Sequence, residues 1–289
     1  MTGVVTSRES RIDRRFAELR WANELGLVAY LTAGDPSLEA TRQIALAAAK
    51  AGADVLELGV PFSDPLADGP VIQRASERAL AAGTTLAGVL DLARQIRQSS
   101  SVPLVLFSYF NPIFQMGLQR FAEHAQAAGA DGALITDLPP EDSTEYLRAM
   151  LSRGLDTIFL AAPTTSDARM KRIAELSSGF LYVISRTGVT GEREALADEL
   201  PALLRRARQA TRLPVAVGFG ISLPGHVSLL GGLADAAVVG SALVAEVERA
   251  TSAEEAAANV AERIRTLKEA GRRGMSRRES PQGEGSAPR

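Results

Sequence analysis

Eight short, almost wholly aliphatic runs recur along the chain at a steady interval, and no feature narrows its possible folds more. They are Leu27–Leu31, Val55–Gly59, Pro103–Ser108, Gly132–Ile135, Thr157–Leu160, Phe180–Ser185, Pro214–Gly218 and Ala236–Gly240. Continuous runs of this length, unlike alternating ones, predict parallel strands covered on both faces. Helical patterns lie between them, at Ser37–Ala51, Pro70–Ala82 with Leu86–Arg97, Leu118–Ala128, Glu141–Arg153, Ser166–Leu176, Leu196–Ala210, a short stretch after Pro224, and Ser252–Ala270. Eight such units of about 27 residues fit a closed (β/α)8 or TIM barrel of about 250 residues. The competitor, an open doubly wound sheet, would carry a glycine-rich fingerprint after its first strand, where this chain reads Thr32-Ala-Gly-Asp-Pro36.

Local signals agree with the α/β assignment. Gly52 and Gly129 stand where helices end, and Ala51-Gly-Ala-Asp54 returns as Ala128-Gly-Ala-Asp131, each time between a helix and a strand. Arg11–Glu24, with Ile12, Phe16, Leu19 and Trp21 apolar, reads as an extra N-terminal amphipathic helix able to close the barrel's N-terminal mouth. Residues 1–271 form a single barrel domain in this reading. Residues 272–289 read as a disordered tail, since Gly271–Arg289 is rich in Arg, Gly, Ser and Pro with five positive and two negative charges.

Composition then excludes chemistry. Thirty-two basic residues against 34 acidic ones leave a net charge of −2, which offers no basic surplus for nucleic acid or an anionic membrane. No apolar segment approaches the roughly 18 residues of a membrane span, and the N-terminus lacks a signal-peptide core, so the expected location is cytoplasmic. Cysteine is absent, which removes thiolate nucleophiles and Cys-ligated zinc. The lysines are Lys50, Lys171 and Lys268, none at a strand end, which argues against a Schiff-base aldolase. His124 lies mid-helix and His226 just past a proline, which argues against a His-based metal site.

Catalysis in such a barrel belongs at the C-terminal ends of the strands. One strand carries a charge there: Glu57, on the face shared by Val55 and Gly59. A carboxylate inside the barrel must either pair with an arginine or hold its proton, and the second state suits acid–base work at neutral pH. Asp64 and Asp68 follow in the proline-rich loop Val60–Pro70. Asp64 reads as a bracing or capping residue, and Asp68 as either a helix cap before Gly69-Pro70 or a catalytic group. Glycine turns after the sixth, seventh and eighth strands (Gly188–Gly191, Gly218–Ser222, Gly240-Ser241) point to a phosphorylated substrate held by backbone N–H groups.

The segment Leu56-Glu-Leu-Gly-Val-Pro-Phe-Ser-Asp-Pro-Leu-Ala-Asp-Gly-Pro70 closely resembles the signature of the tryptophan synthase alpha chain family. So do Tyr30–Pro36, Phe110–Ile113, Ala130–Pro139, Tyr182–Gly191, Val217–Ser222 and Val239–Ala242, and the resemblance spans roughly Phe16 to Gly271. It implies a lyase that cleaves indole-3-glycerol phosphate to indole and glyceraldehyde 3-phosphate, late in tryptophan biosynthesis. By the same matching, Glu57 transfers protons, Asp68 bonds the indole N–H, and Tyr182 lines the site. Thr190 belongs to a closing loop, and Phe219, Gly191, Gly220, Gly240 and Ser241 bind substrate and its phosphate. The resemblance also implies a beta-chain partner in an alpha2beta2 heterotetramer. Pyridoxal phosphate would reside in that partner and no cofactor in this chain, with the loops around Pro61 and Asn111 as the contact region. Tyr109-Phe110 departs conservatively from the two tyrosines of many members. A free-standing lyase would share every motif, whereas a non-catalytic activator would need neither Glu57 nor Asp68.

Overall fold

The computed structural model describes residues 9–184, 200–218 and 220–279. The strands among them are β1 (Gly26–Thr32), β2 (Val55–Gly59), β3 (Leu104–Ser108), β4 (Gly132–Ile135), β5 (Asp156–Ile158), β6 (Leu160–Ala161), β7 (Leu181–Ile184), β8 (Val215–Gly218) and β9 (Ala236–Val239). All are parallel and form one sheet in the order β5-β4-β3-β2-β1-β9-β8-β7-β6. Its two ends, β5 and β6, are separated in the chain by Phe159 alone. They are halves of the fifth strand, the first bonded to β4 and the second to β7. The run expected as one strand is split because its halves serve different neighbours, and the split strand closes the barrel.

Helices α1 (Arg11–Trp21), α2 (Leu38–Ala51), α3 (Pro70–Ala81), α4 (Leu86–Ser99), α5 (Phe110–Met116), α6 (Leu118–Ala128), α7 (Thr144–Ser152), α8 (Asp167–Leu176), α9 (Leu200–Ala210), α10 (Pro224–Leu230), α11 (Ser241–Arg249) and α12 (Ala253–Glu279) lie around the sheet. Alternation along the strands divides the core in two. Leu27, Ala29, Leu31, Leu56, Leu58, Leu104 and Leu106 face the helices. Val28, Tyr30, Val55, Val105, Phe107, Leu134, Ile158 and Tyr182 fill the barrel. Helix α1 plugs the N-terminal mouth: Ser10 and Asp13 form a capping box, Ile12, Phe16 and Leu19 join the interior cluster, and the Phe16 and Phe180 rings lie 5.8 Å apart. Trp21 is not part of that face. It is 92% exposed, because it follows Leu19 by two positions and points to the opposite side of the helix.

The repeated Ala-Gly-Ala-Asp phrase has a structural meaning. Gly52 and Gly129 end their helices in the left-handed conformation (φ 110° and 79°), a shape that favours glycine. Each aspartate then locks a residue at the start of the neighbouring strand. Asp54 donates its N–H to the Leu27 carbonyl (2.8 Å) and accepts the Leu27 N–H on its carboxylate (2.6 Å). Asp131 does the same to Leu104, both at 2.8 Å, and Asp235 to Val215, at 2.9 and 2.7 Å. Arginines complete the arrangement: Arg15 on Asp54, Arg11 and Arg97 on Asp131, and Arg208 on Asp235. Lys268 is spent here too, 2.8 Å from Asp54.

Several elements differ from the sequence reading; α1 ends at Trp21 rather than Glu24, and α11 was not among the helical patterns. Helix α5 was not expected. Its Pro112 falls in the first turn, where a missing N–H costs nothing, and the Phe110 N–H donates to Asp137 at 2.6 Å. Helix α7 starts at Thr144 because Pro140–Asp142 winds as a separate 3-10 turn. Helix α12 runs to Glu279, eight residues beyond the expected start of the tail. Gly274 lets it approach α10: a Cβ there would lie 2.3 Å from the Ser228 carbonyl oxygen, and the Ser228 hydroxyl donates to Ala270 O at 2.8 Å. The rest of the expected tail, 280–289, lies outside the described residues.

Asp131→Ala strands the Leu104 N–H and two arginines. It should lower unfolding free energy by about 3 kcal/mol, against less than about 1 kcal/mol for Asp91→Ala in an exposed pair, as measured by urea denaturation.

Candidate active site

Glu57 is the middle residue of β2, and its strand neighbours in register are Tyr30 on β1 and Val105 on β3. Strand parity turns it into the barrel, where it is wholly buried. Among the described residues neither carboxyl oxygen has a hydrogen-bond partner. No arginine among them pairs with it, which fits the retained proton of the two expected states. Burial alone, with no compensating donor, pushes the Glu57 carboxyl from its ordinary 4.5 up to about 8.

Asp68 lies above it in the loop that leaves β2, 7% exposed. It does not cap the next helix: the N-cap of α3 is Gly69, with no side-chain cap bond, and Pro70 starts the helix. The carboxylate instead accepts a bond from the Tyr109 hydroxyl at 3.2 Å, and that hydroxyl accepts the Ala67 N–H at 2.9 Å. Burial raises the Asp68 carboxyl to about 6, and the Tyr109 bond opposes the rise. Phe62 stacks on Tyr109 at 5.0 Å, and Gln73 Nε2 donates to the Asp68 carbonyl at 2.9 Å, so the loop is braced at both ends. Asp64 is exposed and accepts a 2.5 Å bond from Ser63, in the bracing role expected of it.

Tyr182 projects into the barrel from β7, and Tyr30 does so from β1. Both are buried, and burial drives both phenols well up; the charge of Glu57 acts next on Tyr182, and that of Asp68 next on Tyr30. Each hydroxyl sits over a glycine of the adjoining strand, Tyr30 over Gly59 and Tyr182 over Gly218, where a Cβ would lie 2.1 Å from the oxygen. These glycines make room for the site's own side chains. Sequence reasoning missed Tyr30 and Tyr109. Period-two parity from Val28 would have turned Tyr30 inward, whereas the contact of Tyr109 with Asp68 crosses between two loops and left no local signal.

The glycine turns after β8 and β9 lie beside one another because those strands pair, and the turn Gly188–Gly191 lies outside the described residues. Gly220 takes a left-handed φ of 81°. Gly240 precedes α11, which begins at Ser241 without a side-chain cap and so leaves first-turn N–H groups for an outside acceptor. Thr190, Gly191 and Phe219 lie outside the described residues. No group of three or more His, Cys, Asp or Glu residues among the described residues could hold a metal ion. Lys50 and Lys171 are exposed on helices away from the strand ends.

A family model for the tryptophan synthase alpha chain matches residues 16–272. The chain belongs to the tryptophan synthase alpha chain family. The alpha chain of Solibacter usitatus is 54% identical over 251 residues, covering 87% of this chain and 93% of that one. Among solved structures, tryptophan synthase from Mycobacterium tuberculosis superposes with a TM-score of 0.85 at 32% identity, over 92% of this chain and 99% of that one. A tryptophan synthase complex from Pyrococcus furiosus gives 0.79 at 39% identity, over 84% and 98%. The alpha-chain family thus accounts for both the barrel and the motif around Glu57.

A proton on Glu57 links the site to stability. The folded carboxyl holds its proton to about pH 8, whereas the unfolded one releases it near 4.5, so wild-type stability falls as pH rises between those values. Glu57→Gln should match wild type below pH 4.5 and become progressively more stable than it up to pH 8. Thermal unfolding of both proteins across that range measures the gap, and a constant gap would contradict the raised pKa.

Proposed function

We propose that this chain cleaves indole-3-glycerol phosphate to indole and glyceraldehyde 3-phosphate, with Glu57 as the proton-transferring group and Asp68 as the electrostatic partner of the indole ring. The observation that carries the reading is the pair of unpartnered Glu57 oxygens inside the barrel beneath a partnered, more easily ionised Asp68. The two carboxyls differ because their surroundings differ, and at neutral pH one is acid while the other is anion.

The reaction follows from that division. Protonated Glu57 gives its proton to indole C3, and positive charge develops at the ring nitrogen, whose N–H faces Asp68. Glu57, now a carboxylate, takes the proton of the adjoining side-chain hydroxyl. The O–H electrons form the aldehyde C=O, the C–C bond breaks, and its electrons neutralise the ring. Glu57 ends protonated as it began, so no outside acid or base is needed. Tyr182 lines the pocket, with Phe219 as a further substrate contact. The N–H groups around Gly191, Gly220, Gly240 and Ser241 hold the phosphate, and Thr190 closes over the site.

The proposed partner is a beta chain, in an alpha2beta2 heterotetramer, that takes up the indole. Pyridoxal phosphate belongs to that partner. Leu66, in the loop after β2, is 89% exposed, and Phe114, on α5 after β3, is 60% exposed; these apolar side chains near Pro61 and Asn111 suit a protein contact. Among the described residues no helix is long and apolar enough to cross a membrane, and a cytoplasmic location fits this role.

Glu57→Gln should reduce indole formation by about a thousandfold, and Asp68→Asn by about a hundredfold or more, in a steady-state cleavage assay. In the wild type, kcat/KM should fall below about pH 6 as Asp68 gains its proton and above about pH 8 as Glu57 loses its own. Added beta chain should raise turnover strongly. Full turnover without it would instead mark a free-standing lyase.

A further inference from the structure

Ser222 ends the loop that follows β8, two residues beyond Gly220, and both of its backbone polar groups are held by side chains from elsewhere in the fold. Its N–H donates to Nδ1 of His226 on α10 at 3.4 Å, and its carbonyl accepts a 2.9 Å bond from Nη2 of Arg263 on α12. The imidazole is buried, 3% exposed. The Arg263 Nε is also buried and, among the described residues, meets no acceptor while the guanidinium holds the carbonyl. Ile221, between Gly220 and Ser222, is anchored in the helix-facing core at 3% exposure. The chain leaving Gly220 therefore has one anchored side chain and then two anchored backbone groups.

From this we infer that His226 and Arg263 are positioning residues for the phosphate loop: they fix the peptide planes around Ser222 and thereby the orientation of the Gly220 N–H. The inference rests on the reading of Gly220 as a phosphate-binding residue. A backbone donor cannot change rotamer to find its ligand, so its aim is set by what holds the chain on either side. On the far side of Gly220 the chain is held by β8, bonded to both β7 and β9. On the near side nothing in the strand ladder reaches Ser222, and the two side chains supply that hold. Acceptance at Nδ1 requires that nitrogen to be unprotonated, which defines the substitution that tests it. Asparagine places an acceptor oxygen near the Nδ1 position, and leucine fills similar space without one.

The test compares wild type, His226→Leu, His226→Asn, Arg263→Met and Gly220→Ala with three probes. These are indole-3-glycerol phosphate, its dephosphorylated analogue indole-3-glycerol, and inorganic phosphate as a competitive inhibitor; thermal unfolding verifies that each variant is folded. His226→Leu and Arg263→Met should raise KM for the phosphorylated substrate and the inhibition constant of phosphate together, by about three- to tenfold. Their kcat, and their kcat/KM for the dephosphorylated analogue, should stay within about twofold of wild type, the residual scatter of removing one hydrogen bond remote from the reacting atoms. His226→Asn should restore both constants. If Gly220→Ala weakens phosphate while His226→Leu and Arg263→Met leave it unchanged, the loop binds phosphate and the positioning role is wrong. Equal losses on both substrates would also overturn it, as a general structural effect. If Gly220→Ala leaves both KM and phosphate inhibition unchanged, the phosphate reading itself fails and takes the inference with it.

Discussion

A closed eight-stranded barrel has an interior just wide enough for side chains, and every inward position must be filled by a group that tolerates the loss of water. That constraint governs this molecule. At the N-terminal end the filling is apolar, completed by Phe16 and Phe180 where helix α1 seals the mouth. Toward the C-terminal end the filling turns polar at one level, with Glu57 beside Tyr30 in register and Tyr182 on the far strands. An ionised Glu57 with no donor would oppose folding there, so the carboxyl keeps its proton into the neutral range. The acid is made by what surrounds it, and what surrounds it is the requirement that a barrel be full.

Three aspartates at the strand starts are held quite differently from the carboxyls of the site, although Asp156 at the start of β5 is itself buried with one oxygen unpartnered among the described residues. Asp54, Asp131 and Asp235 each accept a strand N–H and an arginine, a fully satisfied arrangement that ties neighbouring strands at their starts. Glu57 has no such partner, and Asp68 has the hydroxyl of Tyr109. Satisfied carboxylates stabilise and are inert; poorly satisfied ones are costly and reactive. Stabilising contacts at the strand starts offset the cost of the unsatisfied groups at the strand ends. This separation also accounts for Lys268, whose ammonium is held by Asp54 at the strand-start end, away from Glu57 and Asp68.

Much of this was legible before any coordinates. The strand runs, the inward parity of Glu57 and the plugging helix follow from periodicity, which is local. That Asp68 leaves the helix uncapped was not legible locally, because its carboxylate is held by Tyr109, 41 positions away and brought close by the pairing of β2 with β3. Tail and helix were confused for a similar reason. Gly271 and Gly274 lower helix propensity, and only the near contact of Gly274 with Ser228 shows why small residues are wanted there. Trp21 was misplaced by composition: an apolar residue within an amphipathic segment was assigned to the buried face, although its angular position was already against it. The meaning of the repeated Ala-Gly-Ala-Asp phrase was invisible in one dimension, since each aspartate's partner lies at the beginning of the preceding strand, 27 residues earlier in both cases.

A near-neutral chain of net charge −2 has little general attraction for a phosphorylated ligand. If phosphate is held at the turns after β8 and β9, it must be held by aimed backbone donors and by the uncapped start of α11, whose partial positive charge is fixed in direction. Such a site differs in kind from a cluster of lysines. A lysine can follow its ligand, so imprecise scaffolding is tolerated; an N–H group follows nothing, so precision moves outward into whatever anchors the loop. Polar side chains with no evident part in the chemistry are then expected around the loop, and the buried His226 and the half-buried Arg263 occupy those places. On the proposed reading of the site, the scarcity of lysine and histidine in this chain shifts the work of recognition from side chains that touch the ligand to side chains that hold the backbone.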